Sequence, residues 1–136
     1  MTVLGIASAL LLIAAGPSRL DDAIDLAQAG KLKEARELFQ TVIPDLRSSG
    51  DQRALATALT AASRVSVSLG DYRSAIQEAG EAIQVRNRIK DPSGAGEDSN
   101  TLGLAKVGGR LAQGKSRPGI LRASGKDDPL SVPELW

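Results

Sequence analysis

The chain has 136 residues, enough for one small domain with short appendages and too few for two. Hydrophobic residues make up 42% of it but aromatics only 2%, which favours a core of closely packed Ala, Leu, Ile and Val between helices over a bulkier sheet sandwich. With 17 Lys and Arg against 16 Asp and Glu, and neither Cys nor His, the chain has no long-range field to gather nucleic acid or acidic lipid, and thiol nucleophiles, disulfides, thiolate metal sites and imidazole bases are excluded.

Val3 to Ala15 is almost unbroken apolar sequence, stopped by Gly16-Pro17-Ser18. A helix over these residues would span about 20 Å, short of a ~30 Å hydrocarbon core, whereas the length suits the apolar region of a secretory signal. Residues 1–18 are therefore read as a signal-like segment, and the protein as secreted or periplasmic. No Lys or Arg precedes the apolar run, and the competing readings are a docked first helix, which makes the protein cytoplasmic, and an uncleaved anchor.

From Leu20 the pattern turns amphipathic. Ser18 with Asp21 resembles a capping box, and Leu20, Ala23, Ile24 and Ala27 recur at helical spacing until Gly30. A second helix carries Leu32, Ala35, Leu38, Phe39, Val42, Ile43 and Leu46; Pro44 lies within this stripe and is expected to bend or end the helix near Val42. Ser48-Ser49-Gly50-Asp51 forms a break, with Asp51 capping a third helix marked by Leu55, Ala58, Leu59, Ala62, Val65 and Leu69. Asp71 caps a fourth, with Tyr72, Ala75, Ile76, Ala79, Ala82, Ile83 and Ile89 inward. Asp91 to Gly96 reads as a loop, followed by a short fifth helix over roughly Asp98 to Val107. Residues 112–136, rich in Gly, Pro, Ser, Lys and Asp, read as a disordered tail ending in Trp136. Strand-like alternation is not sustained anywhere, so the expected fold is all-α, built of antiparallel helix hairpins.

Gly30-Lys31-Leu32, Gly70-Asp71-Tyr72 and Gly109-Arg110-Leu111 recur at intervals of about 40 residues, the mark of stacked copies of one unit. In the segment Ser63 to Ile76, small Ser63, Gly70-Asp71-Tyr72 and Ala75 resemble the tetratricopeptide repeat. Gly30-Lys31-Leu32-Lys33-Glu34-Ala35 with Phe39 is similar to the second half of that motif, and Leu102-Gly103-Leu104-Ala105 to the start of a third copy. The resemblance spans about Leu20 to Leu111, giving roughly two and a half repeats within residues 19–111. The period exceeds the family's usual length of about 34 residues and is similar to the extended repeats of kinesin light chain and many bacterial signalling proteins. Ser66 stands where the family often has an aromatic, and the third copy has no recognisable second helix.

The resemblance implies a short α-solenoid that acts as a non-catalytic protein–protein interaction module. The first helix of each hairpin would line a concave groove, which places Gln28 there from the first copy, Thr57, Thr60, Arg64 and Ser68 from the second, and Glu97 and Asn100 from the third. Hydroxyls and amides can hydrogen-bond an extended peptide and Arg64 can pair with a carboxylate, so the implied partner is a protein or peptide. Because about three repeats are needed to bury a continuous core, the open end calls for cover by residues 98 to 111, the apolar amino-terminal segment, a second copy of the chain, or a continuation of it. The alternative function is that of the amino-terminal part of a larger signalling or protease-associated protein whose activity lies elsewhere.

Other constellations are weaker. Gly109 to Ser116 matches the phosphate-loop pattern GxxxxGK[ST], but the buried strand and following helix that such a loop needs are not legible around it, so nucleotide binding ranks last. Asp21, Asp22 and Asp25 suit a helix start, and Glu78 and Glu81 followed by Arg86, Arg88 and Lys90 suit a solvated face grading to positive. No catalytic residue, metal ligand or cofactor is assigned.

Overall fold

The structure, a computed structural model, describes residues 19–115. The signal-like segment, the cap at Ser18 and the tail beyond Lys115 lie outside these residues. Within them the chain forms α1 (residues 19–28), α2 (Leu32–Ser49), α3 (Gln52–Ser68), α4 (Tyr72–Arg88) and α5 (Pro92–Lys115), and no strand. The protein is all-α.

The turns are set by backbone chirality. Left-handed residues stand at evenly spaced positions: Gly30 (φ 80°), Gly50 (φ 77°), Gly70 (φ 78°) and Lys90 (φ 58°). Such a residue lets the amides beyond a helix end turn back onto its last carbonyls. After α3, Gly70 N donates to Val67 O at 3.0 Å and Asp71 N to Ser66 O at 2.9 Å; the same pair of bonds closes α1 (Gly30 to Ala27, Lys31 to Leu26) and α4 (Lys90 to Asn87, Asp91 to Arg86). The next residue then starts a new helix. Asp51 Oδ1 accepts from Ala54 N at 3.1 Å, Asp71 Oδ1 from Ser74 N at 3.2 Å, and Asp91 Oδ1 from Gly94 N at 3.0 Å.

Three local expectations are corrected. Asp91 to Gly96 is not a loop: Asp91 caps α5, and Pro92 takes the first helical position, where its missing N–H is no loss. Gly109-Arg110-Leu111 is not a third turn but lies within α5, which runs past the expected end at Val107, and past the expected start of the tail at residue 112, to Lys115. Finally, α2 does not end near Val42. Pro44 sits exposed in it, and the buried Ile43 and Leu46 on the inner side, each worth about 2 kcal/mol, outweigh the ~3 kcal/mol cost of one interior proline.

Helix directions follow from the side-chain pairs. Ser66 meets Glu78 and Thr60 meets Arg86, so α3 and α4 are antiparallel; Arg86 meets Asp98 near one end of α4 and Tyr72 lies against Gly108 near the other, so α4 and α5 are antiparallel too. Arg36 bonds Asp71 and Arg47 bonds Glu81, which makes α2 and α4 parallel neighbours. Helix α3 packs against α2, α4 and α5. The seams are lined by alanines without exposed surface, among them Ala35, Ala56, Ala58, Ala75, Ala79, Ala82 and Ala105, and the bulk comes from Phe39, Leu59, Val42 and Val85. Methyl-sized contacts let the helix axes approach closely, so that a single buried aromatic is enough to fill the core.

Candidate functional site

One face gathers residues of α1, α3 and α5. Gln28, Arg64 and Ser68 line a cleft of about 230 Å³ between α1 and α3, together with Ile24, Ala27, Leu32, Ala61 and Val65. Arg64 is exposed, and its Nη2 donates to Glu97 Oε2 at 3.1 Å, which brings α5 to the rim. Thr57 is exposed on α3 with its hydroxyl donating to Arg53 O at 3.1 Å, and Asn100 is exposed on α5; neither lines the cleft. Further along α5 the exposed Leu104, Val107 and Leu111 form an apolar stripe that sequence reasoning did not single out, although their spacing was there to be read.

Thr60 does not belong to this open face. It is buried, with its Oγ1 2.7 Å from Asp98 Oδ1 and 2.9 Å from Ala56 O, and it accepts from Arg86 Nη2 at 3.1 Å. Arg86 also donates from Nε to Asp98 Oδ2 at 2.9 Å and from Nη1 to Asp91 Oδ2 at 2.5 Å. Burial pulls the Arg86 guanidinium down, but its bonds and charge pairing with Asp91 and Asp98 outweigh that and hold it above its ordinary value. The cluster joins α3, α4 and α5, every polar atom in it is paired, and Asp98 has no exposed surface. Its role is structural, and a helical-face reading of α3 alone had no means of knowing that α5 would lie over Thr60.

A second hollow, of about 430 Å³, opens between the parallel helices α2 and α4. Phe39, Ile43, Leu59, Ala62 and Ser66 contribute to its lining, with Glu78 and the ion pair of Arg47 with Glu81 on its walls. Ser66, buried where a large side chain would fill the space, donates to Glu78 Oε2 at 2.8 Å. Burial raises the Glu78 carboxyl above the usual carboxylate range, opposed by that hydroxyl and by the charge of Arg36.

Among the described residues there is no group of three or more acidic side chains placed to hold a metal ion. Residues 109–115 of the phosphate-loop match lie in the last turns of α5, where successive amides point along the helix rather than into a cradle. Asp21, Asp22 and Asp25 are exposed on α1. No helix of the described residues is long and apolar enough to cross a membrane. Comparison of the chain with protein-family models, with curated proteins and with solved structures gave no match.

Proposed function

We propose that the chain is a non-catalytic protein-interaction module, a short array similar to tetratricopeptide repeats, that binds a peptide segment of another protein along its α1–α3–α5 face. The observation that carries this reading is the cleft where Gln28, Arg64 and Ser68 rim an apolar floor of Ile24, Ala27, Ala61 and Val65. An apolar side chain of the peptide enters the cleft, the Gln28 amide and Ser68 hydroxyl bond its backbone, and Arg64 takes a carboxylate. Arg64 is available for that exchange at small cost, because its present pair with Glu97 is exposed on both sides and such pairs are worth about 0–1 kcal/mol. The apolar run at residues 3–15 fits export, so the partner is met outside the membrane.

The test is selection of binders from a random peptide library on the immobilised chain, followed by titration against two variants. Ala61→Trp, which fills the cleft, and Arg64→Glu, which reverses its charge, are each expected to weaken selected peptides about tenfold or more. Selected peptides that bind both variants as tightly as the parent would sink the groove reading.

A further inference from the structure

The first and last described helices carry exposed faces of opposite character. On α5, Leu104, Val107 and Leu111 are 64%, 50% and 63% exposed and share one stripe. On the flank of α5 towards α4 stand Arg110, next to Val107, and Lys106 one turn before it, both exposed and in no ion pair among the described residues; with Ile76, Gly109 and Gln113 they line a hollow. No acidic residue occurs between Leu102 and Gly114, so the only charges on this half of α5 are basic. On α1, Asp22 and Asp25 are exposed and in no ion pair among the described residues, and they line a hollow with Leu26, Ala29 and Lys31. The arginine of α1, Arg19, pairs with Asp45 at 3.7 Å.

The geometry points to head-to-tail association of this chain with itself, the basic, apolar face of α5 in one copy seating on the acidic face of α1 in the next. Complementary charge selects this occupant. A two-fold pairing of α5 with its own copy would bury the same leucines but set Lys106 and Arg110 against Lys106 and Arg110, and juxtaposed like charges oppose that docking. Seating α5 on α1 covers Leu104, Val107 and Leu111 while bringing Asp22 and Asp25 towards Lys106 and Arg110. The contact is heterologous, so each added copy leaves one α1 face and one α5 face open, and assembly grows with concentration rather than stopping at a pair. The inference is independent of the groove, whose cleft residues take no part in it.

Sedimentation velocity on the full chain over a range of concentrations tests it. Mass is expected to rise beyond two copies at about 0.05 M salt and to fall back at about 0.5 M, where charges are screened over a few ångströms. Lys106→Glu with Arg110→Glu, and separately Asp22→Lys with Asp25→Lys, are each expected to weaken association about tenfold or more, and an equimolar mixture of the two variants to restore it. Leu104→Ser with Leu111→Ser, which leaves every charge in place, is expected to weaken it as well. All these positions are exposed, and circular dichroism checks that each variant keeps its helices. A mass of one copy at all concentrations, a plateau at two copies, a charge-reversed variant that associates like the parent, or a mixture that fails to recover would each overturn the proposal. So would α5-dependent binding to anionic phosphatidylglycerol vesicles without self-association.

Discussion

Arg86 Nε donates to Asp98 Oδ2 at 2.9 Å across the seam between α4 and α5, and Asp98 has no exposed surface. A buried ion pair adds little over well-packed apolar side chains, but removing one partner strands the other in a poor solvent. Asp98→Ala is therefore expected to cost about 2–3 kcal/mol in urea unfolding, because Arg86 loses one of its two carboxylate partners and Thr60 one of its two acceptors, while Asp91 and the Ala56 carbonyl remain. The double variant Arg86→Met, Asp98→Leu should lie much closer to the parent; an equally large loss there would show that the charges themselves are needed.

The glycines of α5 divide by what they face. A Cβ on Gly94 would collide with Cδ, Cζ and Nη1 of Arg86, whereas one on Gly103 would meet nothing within 4 Å. Gly103→Ala is expected to stabilise by about 0.5–1 kcal/mol, the ordinary gain inside a helix. Gly94→Ala has the same intrinsic gain but displaces Arg86 from Asp98, and its net effect should be destabilising. Thermal unfolding of the two variants should thus shift in opposite directions.

Lys90 adopts φ 58° in the turn between α4 and α5, the place glycine takes in the turns at positions 30, 50 and 70. A side chain in the left-handed region costs about 1–2 kcal/mol, part of which glycine's looser unfolded chain would give back. Lys90→Gly is expected to stabilise the fold by about 0.5–1 kcal/mol, read as a higher urea midpoint.

Acid affects the carboxylates in opposite senses. Burial holds Glu78 above the value it has in the unfolded chain, so its charge penalises the fold at neutral pH. As the pH falls through that raised value towards the ordinary one, the native state takes up the proton first and gains stability. Asp71 is held low by the backbone amide and hydroxyl of Ser74 and by Arg36, and Asp91 by the amide of Gly94 and by Arg86. Their contribution is complete above the ordinary aspartate range and is lost as the pH falls through their lowered values. Urea midpoints should rise on mild acidification and then drop; in Glu78→Gln the rise should vanish while the drop remains.

Helices α3 and α4 were legible because their apolar residues keep a clean helical period: Leu55, Ala58, Leu59, Ala62 and Val65, then Ala75, Ala79 and Ala82, are all buried. The start of α5 was not. Pro92, Gly94 and Gly96 carry every local sign of a loop, and the helix there rests on the Asp91 cap, on packing against α4 and on the bonds of Asp98. A lone aspartate in a polar run gives no hint that two helices will close over it. Gln28, Arg64 and Ser68 converge on one cleft because α1 and α3 lie side by side, while Thr60 is claimed by a neighbour distant in sequence.

Seams of methyl groups are forgiving, and helices held by them alone can peel away turn by turn from a free end. The carboxylate of Asp98 opposes that gradual parting where α5 begins, since it accepts from a hydroxyl of α3 and a guanidinium of α4 at once. The first turns of α5 are then expected to open together with α3 and α4, and the slowest-exchanging amides of the three helices should report one common opening free energy.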